Sequence, residues 1–181
     1  MPDPHRVLLV LAHPAYERAR VNPALVAAAE SAGAVVHDLY EAYPDFLIDV
    51  EAEQARLLEH DVICLQFPFL WYSVPSLLKE WLDLVWLHGF AYGEGGTRLG
   101  GKRMLVATTT GASASAYGPG GGHRYSISEF LRPLEQTARL CGLRWQEPFV
   151  VHTSHALSEA ELARCADRYG RRLAELSAGA R

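Results

Sequence analysis

Asp61-Val62-Ile63-Cys64-Leu65-Gln66-Phe67, continued by Pro68-Phe69-Leu70-Trp71-Tyr72, is the stretch that decides the fold class. The first seven residues form an almost unbroken apolar run, as expected of a parallel strand covered on both faces. The segment before it, 49–60, is amphipathic at helical spacing. The segment after it, Val74–His88, keeps a helical period on Leu77, Leu78, Trp81, Leu82, Val85 and Trp86. A buried strand set between two helices predicts an α/β chain.

The same alternation extends outward. Val7–Ala12 is another continuous apolar run and the first strand. Asn22-Pro23 fits an N-cap followed by proline at the first helical position, opening a helix through about Ala32 that ends at Gly33. Ala34–Leu39 and Arg103–Thr108 supply the second and fourth strands. Ser126–Cys141 predicts a helix in which Pro133 falls early enough to be tolerated, with a kink. Arg144–Val151 gives a fifth strand, and Ser158–Leu176 a last helix whose Ser158-Glu159-Ala160-Glu161 opening is a capping-box pattern. Five strands alternating with five helices predict one domain, 1–181, built on a doubly wound five-stranded parallel sheet with helices on both faces. Right-handed crossovers favour the order 2-1-3-4-5.

Composition narrows the classes. Among 181 residues, 49% are hydrophobic and the net charge is -4, which excludes disorder and gives no electrostatic reason to expect nucleic acid. No apolar run approaches the roughly 20 residues of a membrane span, and the first run is too short for a secretory signal. Cys64, Cys141 and Cys165 are odd in number and lack metal-ligand spacing; two of them lie in apolar strand or helix patterns and are expected as buried thiols, in a cytoplasmic protein without a metal.

The chemistry-bearing residues follow strands one, three and four. Open α/β sheets bind ligands beyond the carboxyl ends of their strands, at the point where strand order reverses. After strand one, His13, Arg18, Arg20 and Asn22 lie beside free helix amides suited to a phosphate; a plain cap with solvated arginines fits those residues equally well. After strand three, Phe67, Phe69, Trp71 and Tyr72 suit a flat ring, and also a hydrophobic lid or subunit contact. After strand four, Thr108-Thr109-Thr110-Gly111-Ala112 lets backbone approach a ring closely, and Tyr117 and His123 bracket the glycine-rich tract beyond it. Mobility alone would also account for those glycines. Trp81 and Trp86 are assigned to the core or a dimer contact. There is no dinucleotide-binding glycine fingerprint and no Walker-type loop.

His13-Pro14, Pro68-Phe69-Leu70-Trp71-Tyr72-Ser73-Val74-Pro75, Leu77-Leu78-Lys79-Glu80-Trp81 and Thr109-Thr110-Gly111 together resemble the NAD(P)H:quinone oxidoreductases of flavodoxin-like fold. Asp38-Leu39-Tyr40, Tyr43-Pro44-Asp45-Phe46, Gly89-Phe90-Ala91-Tyr92-Gly93 and Leu131-Arg132-Pro133-Leu134 are similar to a bacterial branch. That branch holds the ancillary flavoproteins of glutathione-gated potassium-efflux systems and related general stress proteins. The resemblance implies a homodimer with FMN at the subunit interface and two-electron, ping-pong reduction of quinones by NADH or NADPH. It implies FMN rather than FAD, since the chain stops soon after the fifth α/β unit. It places His13, Ala19, Arg20, Val21 and Asn22 on the phosphate and ribityl end. Pro68, Phe69, Leu70, Trp71, Thr109, Thr110, Gly111 and Ala112 would line the isoalloxazine, with Tyr117 and His123 stabilising the reduced ring. Ala19, Leu70 and Ala112 depart from the serine, glutamine and glycine frequent in the family. A second expectation from the resemblance is a regulatory subunit docked on a membrane potassium-efflux antiporter, reaching the inner membrane face only through that partner. A one-electron flavodoxin carrier is disfavoured, those proteins being strongly acidic.

Overall fold

A computed structural model describes residues 5–179. Seven α-helices and six strands follow one another: β1 (Val7–Leu11), α1 (Val21–Ser31), β2 (Val35–Asp38), α2 (Leu39–Ala42), α3 (Val50–Leu58), β3 (Val62–Pro68), α4 (Ser76–Val85), β4 (Arg103–Thr109), α5 (Ile127–Phe130), α6 (Arg132–Leu140), β5 (Arg144–Trp145), β6 (Phe149–Val151) and α7 (Glu159–Ser177). The sheet runs β2-β1-β3-β4-β5 with every pair parallel, and β6 also lies on β4. The order expected from the sequence is the order found.

Side-chain alternation along the strands divides the core into two layers. Leu8, Val10, Ile63, Leu65, Phe67, Met104 and Val106 face the layer shared with Leu57, Leu77, Trp81 and Leu134 of α3, α4 and α6. Leu9, Leu11, Cys64, Leu105 and Ala107 face the other layer, with Leu25 of α1 and Tyr169 and Leu173 of α7. At the α1–α7 crossing a Cβ on Gly170 would lie 3.1 Å from the Ala28 carbonyl oxygen, so glycine there permits the close approach. Trp81 and Trp86 are both buried in the core. Among the described residues no helix is long and apolar enough to cross a membrane.

Four local expectations are corrected. The fifth strand is two short ones, because Pro148 has no N–H for the ladder. Met104 and Ala107 of β4 pair with Trp145 and Phe149, so three steps on one strand face four on the other, and the extra residue bulges out. The helix over 126–141 breaks at Leu131 into α5 and α6, with Pro133 in the first turn of α6. A one-turn α2, absent from the sequence reading, forms where the Asp38 carboxylate accepts from the Tyr40 and Glu41 amides. Finally, Asn22 is not a cap: Arg20 holds that position, and Asn22 is the second residue of α1. The Ser158–Glu161 capping box on α7 is present as expected.

Candidate active site

Register carries the carboxyl ends of the strands to one edge. Pro68 pairs with Thr109 at the end of β3 and β4, and Thr109 pairs with Val151 of β6. The loops leaving β1, β3, β4 and β6 therefore surround one crevice of about 520 Å³. Its walls include His13, Arg18, Ala19, Arg20, Val21 and Asn22 from the first loop, Pro68, Phe69 and Leu70 from the second, and Thr109 and Gly111 from the third.

The first turn of α1 is bare of acidic side chains, whereas α3 and α7 carry two glutamates each in theirs. The backbone amides of Arg20, Val21 and Asn22 make no hydrogen bond within the described residues, and neither do those of Gly111 and Ala112. The crevice is thus edged at two places by unpaired N–H donors, one of them at the positive end of a helix dipole.

Side chains divide into those that face the crevice and those committed elsewhere. Asn22 is buried: its Nδ2 donates to Thr109 Oγ1 at 3.3 Å, and its Oδ1 accepts from Gln66 Nε2 at 3.1 Å. It faces the crevice with its amide, while its side chain ties α1 to β3 and β4. Arg20 reaches across to the Leu157 carbonyl at 2.6 Å and to Glu159 at 2.7 Å. His13 Nδ1 accepts from the Ala15 amide at 3.2 Å, which leaves the neutral ring's proton on Nε2. Burial pulls the His13 pKa down from the ordinary histidine value.

The second loop is strained. Trp71 and Tyr72 have φ of 47° and 63°, and Leu70 and Ser73 exchange backbone hydrogen bonds at 3.1 and 2.9 Å. Two left-handed residues between a bonded pair form a hairpin-type turn that favours Asn-Gly, and here it is made of two aromatics. Trp71 is consequently turned out of the crevice, 93% exposed. Tyr72 folds back onto Phe130 in a stack with centroids 5.0 Å apart.

Tyr117 and His123 are brought together, stacked with centroids 4.6 Å apart and planes 21° apart. Neither lines the crevice; Tyr117 packs edge-on to its wall residue Phe69, and Tyr72 Oη lies 3.4 Å from His123 Nδ1. Thr110 and Ala112 are not wall residues; the Thr110 hydroxyl donates to the Ala112 carbonyl at 2.9 Å and lies beside His152. Ser154 and His155, which complete the crevice, were missed in the sequence, as was His152. They follow the apolar run of the last strand, so the rule that singled out the other loops applied to them too. Among the described residues no group of His, Cys, Asp or Glu could hold a metal ion.

A family model described as flavodoxin-like fold matches residues 5–173. The glutathione-regulated potassium-efflux system ancillary protein KefG of Cronobacter sakazakii (strain ATCC BAA-894) is 45% identical over 171 residues, covering 94% of this chain and 93% of that protein. General stress protein 14 of Treponema denticola, solved in complex with FMN, has a TM-score of 0.90 at 39% identity, covering 94% of this chain and 99% of that one. An NADPH-quinone reductase from P. pentosaceus has a TM-score of 0.85 at 32% identity, covering 93% and 97%. A structure described as a thermophilic tryptophan halogenase from Streptomycin violaceusniger has a TM-score of 0.87 at 45% identity, covering 90% and 95%.

Proposed function

The chain belongs to the flavodoxin-like fold family, and from that premise we propose that it is an oxidoreductase that holds FMN in this crevice and passes electrons from NADH or NADPH to a quinone-like acceptor. The observation that carries the proposal is the set of unpaired amides at two places on one crevice, Arg20–Asn22 on one wall and Gly111 on another. The relative solved with FMN and the quinone reductase support the cofactor and the reaction.

The residues present fit the group. Amides at the α1 N-terminus suit a phosphate dianion, with Arg18 and His13 as side-chain partners in reach of the same wall. Ala19 offers no hydroxyl there, and Ser154 adds one to the crevice from another loop. Pro68, Phe69 and Leu70 supply apolar and main-chain surface for a flat ring. A Cβ on Gly111 would meet nothing within 4 Å, so the wall at that point is open to a close ligand. FMN supplies two-electron transfer when bound. The chain's part is to orient it, to set the Gly111 donor toward negative charge, and to hold protons on the Tyr117 hydroxyl and the His123 ring. Trp71, exposed on its strained turn, is the side chain proposed to contact a second subunit in a homodimer.

Purified protein should show the near-ultraviolet and blue absorption bands of oxidised flavin, bleached by NADH or NADPH and restored by a soluble quinone. Colourless protein that takes up no added FMN would sink the proposal. The KefG relatives favour a second reading, an ancillary subunit of a potassium-efflux system bound to its membrane antiporter. Copurification with such an antiporter, by protein that shows no quinone turnover, would decide for it.

A further inference from the structure

We propose that His152 is a positioning residue that aims the Gly111 amide of the Thr110–Ala112 turn into the crevice; this rests on the reading of the crevice as an FMN site. His152 is the first residue past β6, and its Nδ1 lies 3.0 Å from Thr110 Oγ1. That hydroxyl has one hydrogen and spends it on the Ala112 carbonyl, 2.9 Å away. Its oxygen is left to accept, so His152 carries its proton on Nδ1. The result is a relay in one direction: His152 Nδ1–H to Thr110 Oγ1–H to the Ala112 carbonyl.

The next two residues complete a clamp. The Thr153 amide donates to the same Ala112 carbonyl at 3.1 Å, and the Ser154 amide donates to the Thr110 carbonyl at 3.0 Å. Thr153 holds φ of 53°, a left-handed conformation that a β-branched residue adopts only when its surroundings impose it. In a trans peptide the C=O and the following N–H point in opposite directions. Fixing the Thr110 and Ala112 carbonyls toward residues 152–154 therefore sends the Gly111 and Ser113 amides the other way, Gly111 lying on the crevice wall. The His152 ring also packs at a tilt of 43° against Tyr117, with centroids 5.7 Å apart, and Tyr117 in turn stacks on His123. One imidazole thus supports both the turn and the aromatic pair packed behind Phe69.

A role limited to filling space would be served by any ring of that size, and a role in aiming donors would not. The test uses FMN-loaded protein carrying His152→Asn, His152→Phe or His152→Ala, and separately Thr110→Val, which removes the relay hydroxyl at constant shape. Two quantities are read: the Kd for oxidised FMN and the two-electron midpoint potential of the bound flavin. His152→Asn places an amide donor where Nδ1 stood and should match the native protein. His152→Phe, His152→Ala and Thr110→Val should leave the oxidised-state Kd within about threefold. They should weaken binding of reduced relative to oxidised FMN by about tenfold, a potential lower by about 30 mV for a two-electron couple. The His152→Phe and Thr110→Val effects should also fail to add in the double variant.

Potentials unchanged in His152→Phe and Thr110→Val, or shifted equally in His152→Asn and His152→Phe, would overturn the inference. So would loss of oxidised FMN binding in folded variants, since His152 would then hold the pocket rather than aim donors. Native protein that binds no FMN would sink the flavin reading together with this one, a result distinct from equal potentials across loaded proteins.

Discussion

Gln66 Nε2 donates to Asn22 Oδ1 at 3.1 Å, and also to the Asn22 carbonyl at 3.2 Å, joining the middle sheet strand to the first turn of the helix that edges the crevice. Both residues are buried, and Gln66 Oε1 already lacks a partner within the described residues. Asn22→Ala removes the side-chain acceptor and the donor to Thr109 together, leaving more buried polar groups unpaired. A loss of about 2–3 kcal/mol is expected, read as a lower urea midpoint with an unchanged slope. Because the same substitution frees the start of α1, affinity for FMN should fall as well.

That contact shows how much of the site the sequence could reveal. The strands were legible because parallel strands buried on both faces leave continuous apolar runs, and the crevice because three unusual loops follow such runs. Asn22 was visible as a polar residue at a helix start, but cap, ligand and tether demand the same residue type. Which of these it is depends on Gln66, 44 residues away. His152, Ser154 and His155 carried no local signal beyond their place after an apolar run; only the pairing of β6 with the end of β4 brings them to the crevice. The Trp71–Tyr72 turn contradicts local preference, so no propensity argument could have placed Trp71 outside.

Glu53 is the most heavily bonded carboxylate away from the crevice. It is fully buried and accepts from the Tyr43 hydroxyl and the Trp81 indole, each at 2.8 Å, while His37 Nε2 stands 2.8 Å from its Oε1. Burial alone would raise its pKa, yet the His37, Trp81 and Tyr43 contacts hold the carboxyl below the usual carboxylate range. Glu53→Gln keeps the shape but must turn an NH₂ toward a group that donates. It should cost about 2–3 kcal/mol in chemical denaturation, and a cost under about 0.5 kcal/mol would show that the network contributes little. Flavin spectra of the folded variant should be native, since Glu53 lies on the α3–α4 side of the sheet.

Stability should fall as the solution is acidified from neutrality. Burial lowers the pKa of His13, His60 and His152 below 6.5 in the folded chain. Their contribution is complete above the unfolded value and is lost as pH falls through each folded one. Glu53 has a lowered carboxyl pKa, so its share stays intact over that interval and is lost only lower down. The physical origin is plainest at His60. Its Nδ1 donates to the Arg56 carbonyl at 2.8 Å, and its buried Nε2 has no partner for an added proton within the described residues. Urea midpoints measured between about pH 7.5 and 5.5 should decline, and His60→Asn should flatten part of that slope. A midpoint that rises over the interval would contradict the assignment.

Gly111 separates folding from binding. It lies on the crevice wall, its backbone is not in the left-handed region, and a Cβ there meets no atom of the chain within 4 Å. Gly111→Ala should therefore fold with stability unchanged or raised by up to about 1 kcal/mol, through the smaller entropy of its unfolded chain. The added methyl would stand in the space a flat ligand needs in order to approach the Gly111 and Ala112 amides. FMN affinity should drop about tenfold, equivalent to 1.4 kcal/mol, in protein whose thermal unfolding without cofactor is native. Gly118→Ala serves as the contrast, because its φ of 120° makes any side chain strained whatever the space around it. That variant should lose stability, and FMN binding should weaken only as far as the loop around it loosens. If Gly111→Ala binds FMN as the native chain does, the cofactor does not rest against this turn, and the donors at Gly111 and Ala112 serve another ligand.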